Sequence, residues 1–309
     1  MFSRLRLTWC RVLNRIILLS SVLLSATAQA QELTAADWLQ GMHHAVHHLN
    51  YEGRVVYQVG TELEVMHLHH RGHGAGEIEQ LSVLSGTPHQ ILRGRGVTHD
   101  HHDANDGGMS SSQHMLSMNC LFQYREMAPH YRLKLGKQHR VAGRLAQIVL
   151  IEPRDTLRFG RRLYLDQETR LPLRSVLLDQ HNQPLAQTLF TALTLKEVPM
   201  AEWQHPLPMA MPPSAAAQRW QFVALPAGYR VKLHHDQSAE RREHFIFSDG
   251  LSMVSLYIEP WVKGSLQGYS RQGATWILGA RRHNQRMTLL GQVPQETLRQ
   301  IIAAIRPVP

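Results

Sequence analysis

The chain has 309 residues, 43% of them hydrophobic and 18% charged, with a formal net charge of +9 and two cysteines. Without residues 1–30, which hold four arginines and no acid, the charge is +5: a mild excess that favours phosphate-bearing lipid or an acidic peptide, yet is also an ordinary solubility surplus. No nucleic-acid partner is expected, and the one cysteine beyond residue 30, Cys120, excludes an internal disulfide, so packing must hold the fold.

The chain opens with the three parts of a secretory signal peptide. Arg4, Arg6, Arg11 and Arg15 are a cationic region, Ile16 to Leu24 an apolar stretch, and Ala28-Gln29-Ala30 a small-residue cleavage site. The mature chain is expected to start at Gln31. The apolar stretch is too short to span a bilayer of ~30 Å, and no later run of about 18 apolar residues follows. Cys10 precedes the apolar core, so no lipoprotein acylation signal is read. A soluble exported protein is expected, outside the reach of nucleotide-driven chemistry.

A helix comes next. Thr34 and Asp37 have the spacing of a capping box, and Leu39, Met42, Val46 and Leu49 recur at helical spacing up to Asn50. Strands are then predicted at 54–59, 63–69, 81–84, 89–93, 131–135, 146–152, 162–166, 173–179 and 188–195. Tyr131, Leu133 and Leu135 alternate with Arg132 and Lys134 as in a half-buried strand, and turn residues such as Asp166-Gln167-Glu168-Thr169 separate the later runs. A meander this long must curl, giving a half-open antiparallel barrel around an apolar interior, with a helix covering one side.

Five prolines between Pro199 and Pro213 deprive residues 198–217 of sheet or helix donors, and a linker is placed there. It separates a large domain, 31–197, from a smaller α+β domain, 218–309. In the smaller one, 243–247 and 252–259 flank Ser248-Asp249-Gly250 as a hairpin whose glycine takes a positive φ. Met287 to Leu290 is a further strand. Pro294 starts a helix whose Leu298, Ile301, Ile302 and Ile305 share a face.

An ordered set of segments then becomes recognisable. Asn50-Tyr51-Glu52-Gly53, Val141-Ala142-Gly143-Arg144, Glu152-Pro153-Arg154-Asp155, Tyr164-Leu165-Asp166 and the run Arg170 to Asp179 resemble the large domain of the RseB/MucB family. Leu225-Pro226-Ala227-Gly228-Tyr229, Ser248-Asp249-Gly250-Leu251 and Val254 to Glu259 resemble its small domain. Each motif is only a turn with flanking strands; their order along nearly the whole mature chain is what is specific. The resemblance implies a periplasmic negative regulator of the envelope-stress sigma factor (sigma-E or AlgU type). Such a regulator binds the periplasmic segment of a single-pass anti-sigma factor, RseA or MucA, and shields it from the site-one protease DegS. Envelope lipid signals, lipopolysaccharide in particular, would release that grip. It also implies a large domain similar to the lipoprotein carriers LolA and LolB. From the elements, the class overall is expected to be α+β, and no cofactor is expected. The histidine- and glycine-rich region 94–113 departs from the family pattern.

Candidate sites follow from residue types. No Gly-x-Ser-x-Gly elbow, His-Glu-x-x-His or phosphate-binding loop is present, so no enzyme activity and no catalytic residue is expected. Thirteen of 21 histidines lie between 43 and 114. His43/His47 and His44/His48 have chelating spacing, and His99, His101, His102, Asp100, Asp103 and Asp106 are ligand types in a loop. Two imidazoles alone hold a metal weakly, and loop ordering costs entropy, so no metal site is assigned, with a pH-sensing role as a further reading. A lipid-accepting pocket is placed on the concave side of the sheet at Met66, Leu68, Leu81, Val83, Leu92, Leu116, Met118 and Phe122, with Val65, Ile91, Met115 and Leu121 beside them. Ordinary core packing is their default role. Partner binding is placed at Trp261, Tyr269 and Trp276 with Arg271, Arg281, Arg282 and Arg286, rigid aromatics and cations able to meet acidic groups. A lipoprotein or amphiphile carrier and a metal-handling protein are the contrasting functions, and a homo-oligomer is left open.

Overall fold

The computed structural model describes residues 32–73, 76–86, 90–94, 97–101, 123–196, 219–237 and 242–308. The expected signal peptide, the proline-rich linker, Cys120 and most of the histidine-rich loop lie outside them. Helix α1 (Ala35–His48) begins at the predicted capping box: Asp37 N donates to Thr34 Oγ1 at 3.2 Å, and Thr34 N donates to Asp37 Oδ2 at 2.8 Å. Thr34 Oγ1 also donates to Asp37 Oδ2 at 2.7 Å, and this bond, with the one from Thr34 N, holds the Asp37 carboxyl below its usual pKa. The helix buries Trp38, Leu39, Met42, Ala45 and Val46 and ends at Leu49.

Ten strands follow: β1 (Tyr51–Val59), β2 (Glu62–His73), β3 (Gly76–Val83), β4 (Gln90–Gly94), β5 (Val97–His101), β6 (Tyr131–Val141), β7 (Arg144–Pro153), β8 (Gly160–Asp166), β9 (Pro172–Leu178) and β10 (Pro184–Leu195). They form one antiparallel sheet in the order β5-β4-β3-β2-β1-β10-β9-β8-β7-β6. Its edges, β5 and β6, do not pair, so the barrel is half open as expected. α1 touches β2 and β3 on one flank and β6 and β7 on the other. A rod about 10–12 Å wide can meet strands so far apart in order only if the sheet curls around it. The apolar core lies in that trough, where inward residues of β1, β2, β3, β7 and β8 meet the helix.

Short turns set the register. Ala142 (φ 50°) and Gly143 (φ 77°) form a two-residue turn between Val141 and Arg144, and two positive φ angles give it a twist that matches the right-handed twist of the flanking strands. The one-turn helix α2 (Tyr124–Met127) leads through Ala128–His130 into β6.

The second sheet has the order β12-β13-β14-β17-β16-β15, built from β12 (Arg230–Gln237), β13 (Arg242–Ser248), β14 (Met253–Pro260), β15 (Gly268–Gln272), β16 (Thr275–Arg282) and β17 (Gln285–Gly291). Helix α3 (Gln295–Ala304) packs on it, with Leu298, Ile301 and Ile302 buried against Phe245, Phe247, Val254, Leu256 and Leu289. Pro294 is the residue before this helix, not its first turn. β11 (Trp220–Phe222) pairs with β18 (Ile305–Pro307). The sequence reading placed the 243–247/252–259 hairpin, the 287–290 strand and α3, but missed β11, β12, β15, β16 and β18. The polar-rich stretches Gly268–Gln272 and Arg230–Gln237 carry little apolar alternation, and it is sheet neighbours that recruit them.

Thr34–Pro309 is one compact unit. Leu251 and Ala274, on the six-stranded side, are buried in the core of the ten-stranded sheet. The described residues are mostly β, with few helices. Among the described residues no helix is long and apolar enough to cross a membrane.

Candidate functional site at the junction of the two sheets

Three features meet where the β13–β14 turn enters the ten-stranded sheet. The first is a buried polar junction. Asp249, 0% exposed, accepts backbone hydrogen bonds from Leu251 (3.0 Å) and Ser252 (2.7 Å) on Oδ1. Its Oδ2 accepts from Arg158 Nε at 2.6 Å and Tyr131 Oη at 2.9 Å. Arg158, also 0% exposed, donates in addition to Asp155 and to the Ala227 carbonyl, and its guanidinium lies 5.3 Å from the Tyr229 ring centre. Burial opposes the Arg158 charge, but Asp249, Tyr229 and Tyr131 together raise its pKa; burial and the same carboxylate push the Tyr131 hydroxyl far up. Lys232 reaches across to Glu126 at 2.5 Å, and Thr297 Oγ1 donates to the Leu157 carbonyl at 2.5 Å.

The second feature is a cavity of about 70 Å³ inside the curled sheet. Met42, Val46, Val55, Leu163 and Phe190 are among its apolar lining residues, and Leu251 and Gln292 reach it from the six-stranded side. Gln292 hydrogen-bonds Tyr57, whose hydroxyl burial pushes up to about 12. Arg161, 7% exposed, faces this space. No hydrogen bond or ion pair to its guanidinium is made by a described residue, and burial pushes its pKa down to about 10, against the pull of Tyr131, Asp249 and Tyr57. A buried cation without a partner is costly, so Arg161 is the one group here that an incoming carboxylate or phosphate would satisfy.

The third is an open groove of about 480 Å³ between the sheets, lined by Phe159, Asp179 and His181 from one side and Tyr269, Trp276 and Arg299 from the other.

Against this geometry the predicted residues separate. Met66, Leu68, Leu81 and Val83 are buried in the core of the ten-stranded sheet as read, but of these Leu68 alone lines the cavity. Val65 and Leu92 cannot share the concave face with Met66 and Ile91. Consecutive strand residues point to opposite faces, and Val65 and Leu92 are only half-buried beside fully buried neighbours. Leu116, Met118 and Phe122, with Met115 and Leu121, lie outside the described residues. Of the partner-binding set, Tyr269 (42% exposed) and Trp276 reach the groove, where Arg271 lies over the Trp276 ring at 5.2 Å. Trp261 is 5.1 Å from Arg281, at a different place. Arg282 donates to the Ile302 carbonyl at 3.2 Å, tying down α3, and Arg286 is paired with Glu259 at 2.9 Å. Sequence reasoning saw the Ser248-Asp249-Gly250 turn but not that Asp249 meets Arg158, nor that Arg161 faces a cavity. The available signal was the charge itself: Arg158 and Arg161 sit in a segment whose neighbours, Phe159 and Leu163, are core residues, and buried arginines need partners.

Comparison with known proteins settles the family. The MucB/RseB N-terminal domain matches residues 34–218, and the MucB/RseB C-terminal domain matches 214–306. The chain belongs to the MucB/RseB family. Among curated relatives, this family member is 29% identical to the Sigma factor AlgU regulatory protein MucB of Pseudomonas aeruginosa, over 96% of this chain and 98% of that protein. It is 26% identical to the Sigma-E factor regulatory protein RseB of Haemophilus influenzae, over 93% and 95%. A crystal structure of MucB superposes with a TM-score of 0.72 at 26% identity, covering 89% of this chain and 98% of that one. The complex of Pseudomonas aeruginosa MucA and MucB gives 0.68 at 26% identity, covering 89% and 99%.

Proposed function

We propose that this family member is an exported, periplasmic regulator without catalysis of its own. It holds the periplasmic segment of a MucA- or RseA-like anti-sigma factor, keeps it from site-one proteolysis, and lets go when an envelope amphiphile such as lipopolysaccharide binds. The observation that carries the reading is the match of both halves of the chain to MucB, a protein solved together with MucA. The signal-peptide pattern of residues 1–30 supports export.

The junction supplies a physical route from lipid to release. The cavity, about 70 Å³, is far below the ~300–1,000 Å³ of ordinary ligand pockets, so an acyl chain fits only after lining residues move. Leu251 and Gln292 are the lining residues that also belong to the six-stranded side. An amphiphile with its anionic head on Arg161 therefore binds better to an arrangement in which the Asp249 turn has shifted. A ligand with such unequal affinity weakens whatever partner prefers the closed arrangement, with a typical coupling of about 1–3 kcal/mol. The groove at Tyr269 and Trp276, set between the two sheets, is where a peptide would feel that shift. An amphiphile carrier needs only the half-open barrel; the groove between two sheets favours regulation.

The test is digestion of a MucA-like periplasmic segment by its site-one protease with and without the exported chain. The segment is expected to persist in its presence and to be cut once lipopolysaccharide is added. Equal cutting with and without the chain overturns the proposal. Tyr269→Ala, at an exposed position, is expected to weaken segment binding by ~1–2 kcal/mol with the melting temperature unchanged.

A further inference from the structure

The outer face of the ten-stranded sheet carries a cluster that none of the preceding features uses. His67 and His69 are two apart on β2, so both point away from the core while Leu68 between them is buried. Their rings meet edge to face at 4.3 Å between centres. Glu52 stands directly opposite His69 in the β1–β2 register, with its Oε2 3.5 Å from His69 Nδ1. One nitrogen from each imidazole and one oxygen of Glu52 lie within 4.8 Å of one another, the sole such trio among the described residues.

We infer that Glu52, His67 and His69 form a site for one borderline divalent transition-metal ion, zinc or copper, on the outside of the sheet. Two imidazoles and a carboxylate are the donor set of such ions, and the remaining coordination position is open to solvent or to a partner's side chain. Metal–ligand bonds of about 2.0–2.2 Å put tetrahedral ligand atoms roughly 3.3–3.5 Å apart, so rotamer adjustment of half-buried side chains closes the set without moving the strands. The backbone does the positioning, which distinguishes this trio from the helix pairs His43/His47 and His44/His48. Those rings also lie close, at 4.5 and 4.2 Å between centres, but among the described residues no third ligand atom joins either pair.

The surrounding charges set the conditions. Burial, and then the neighbouring His67, lower the His69 pKa, which favours the neutral, ligating form at pH 7. Lys196 Nζ, 2.7 Å from Glu52 Oε1, competes for the carboxylate, and Arg54 faces His67 across the strands. Lys196 is 43% exposed and free to swing out. Metal binding is therefore expected to weaken as pH falls through the imidazole range and to strengthen when Lys196 is removed.

Calorimetric titration of Zn²⁺ into the full exported chain, without an affinity tag, tests this. One zinc per chain is expected, with affinity falling at least about tenfold in H67Q/H69Q, less in E52Q, and rising in K196A. Zinc bound equally tightly and in equal number by H67Q/H69Q overturns the inference, as does a parent chain that binds none below millimolar. Should the double variant fail to fold, substoichiometric Cu²⁺ added to the parent is expected to broaden the His67 and His69 imidazole resonances before any others. Earlier broadening of other histidines overturns the site.

Discussion

Arg158 shows how one side chain can join two sheets. Its guanidinium answers Asp249, Asp155 and the Ala227 carbonyl while both it and Asp249 are fully buried. Removing one partner of a buried pair leaves an uncompensated charge, so Arg158→Met alone is expected to cost about 3–5 kcal/mol, read by urea unfolding. A loss below 1 kcal/mol would mean that water, not Arg158, can satisfy Asp249. His244 gives a pH dependence of known sign. It stacks on Tyr257 at 4.2 Å, and burial, with His235 and Arg242 adding to it, lowers its pKa from 6.5 to about 4. Between those values the unfolded chain binds a proton that the native chain does not, so stability present at neutral pH is lost as pH falls from 6.5 towards 4, by up to about 3 kcal/mol. His69, His130 and His235 are shifted the same way and add to the slope. His244→Phe keeps the stack and is expected to flatten the stability profile over that range; an unaltered profile would assign the slope to other groups. Neither residue role was legible in the sequence, because a histidine or arginine looks the same whether its neighbours bury it or leave it in water.

At the scale of elements, the β13–β14 turn is the piece on which the junction depends. Gly250 has φ 94°, and a Cβ there would lie 2.7 Å from the Gln123 carbonyl oxygen, while Gln123 N donates to the Gly250 carbonyl at 2.8 Å. Left-handed backbone and close approach both demand glycine. Gly250→Ala is thus expected to destabilise by about 1–3 kcal/mol and to loosen the α2 segment more than the six-stranded sheet, measured by amide exchange. Uniform loss of protection across both sheets would show that the turn has no privileged link to α2. The hairpin and its positive φ were readable from Ser248-Asp249-Gly250, as was the α1 cap from Thr34 and Asp37, since both are local rules of backbone conformation. Strands β12 and β15 were not, since both are polar edge strands with little apolar alternation, ordered by hydrogen bonds to the single strand beside each, β13 and β16.

For the whole molecule, the curled sheet, its central helix and the second sheet together line one cavity. Arg161→Met is expected to leave the fold intact or stabilised, since it removes an unpaired buried cation, and to weaken binding of an anionic amphiphile relative to an uncharged one of equal chain length, measured by tryptophan fluorescence. Equal loss for both amphiphiles would remove Arg161 as the headgroup contact. The order of turns and apolar runs sufficed for the half-open barrel, the capped helix, the 248–250 hairpin and the family, because periodicity and turn chemistry are properties of neighbouring residues. Which of Met66, Leu68 and Leu81 faces the cavity, that Tyr269 and Trp276 share a groove while Arg282 and Arg286 serve the fold, and that Arg158 finds Asp249 were decided by tertiary structure alone. Those facts depend on curvature and on contacts between residues as much as 140 positions apart, distances over which no sequence period carries information.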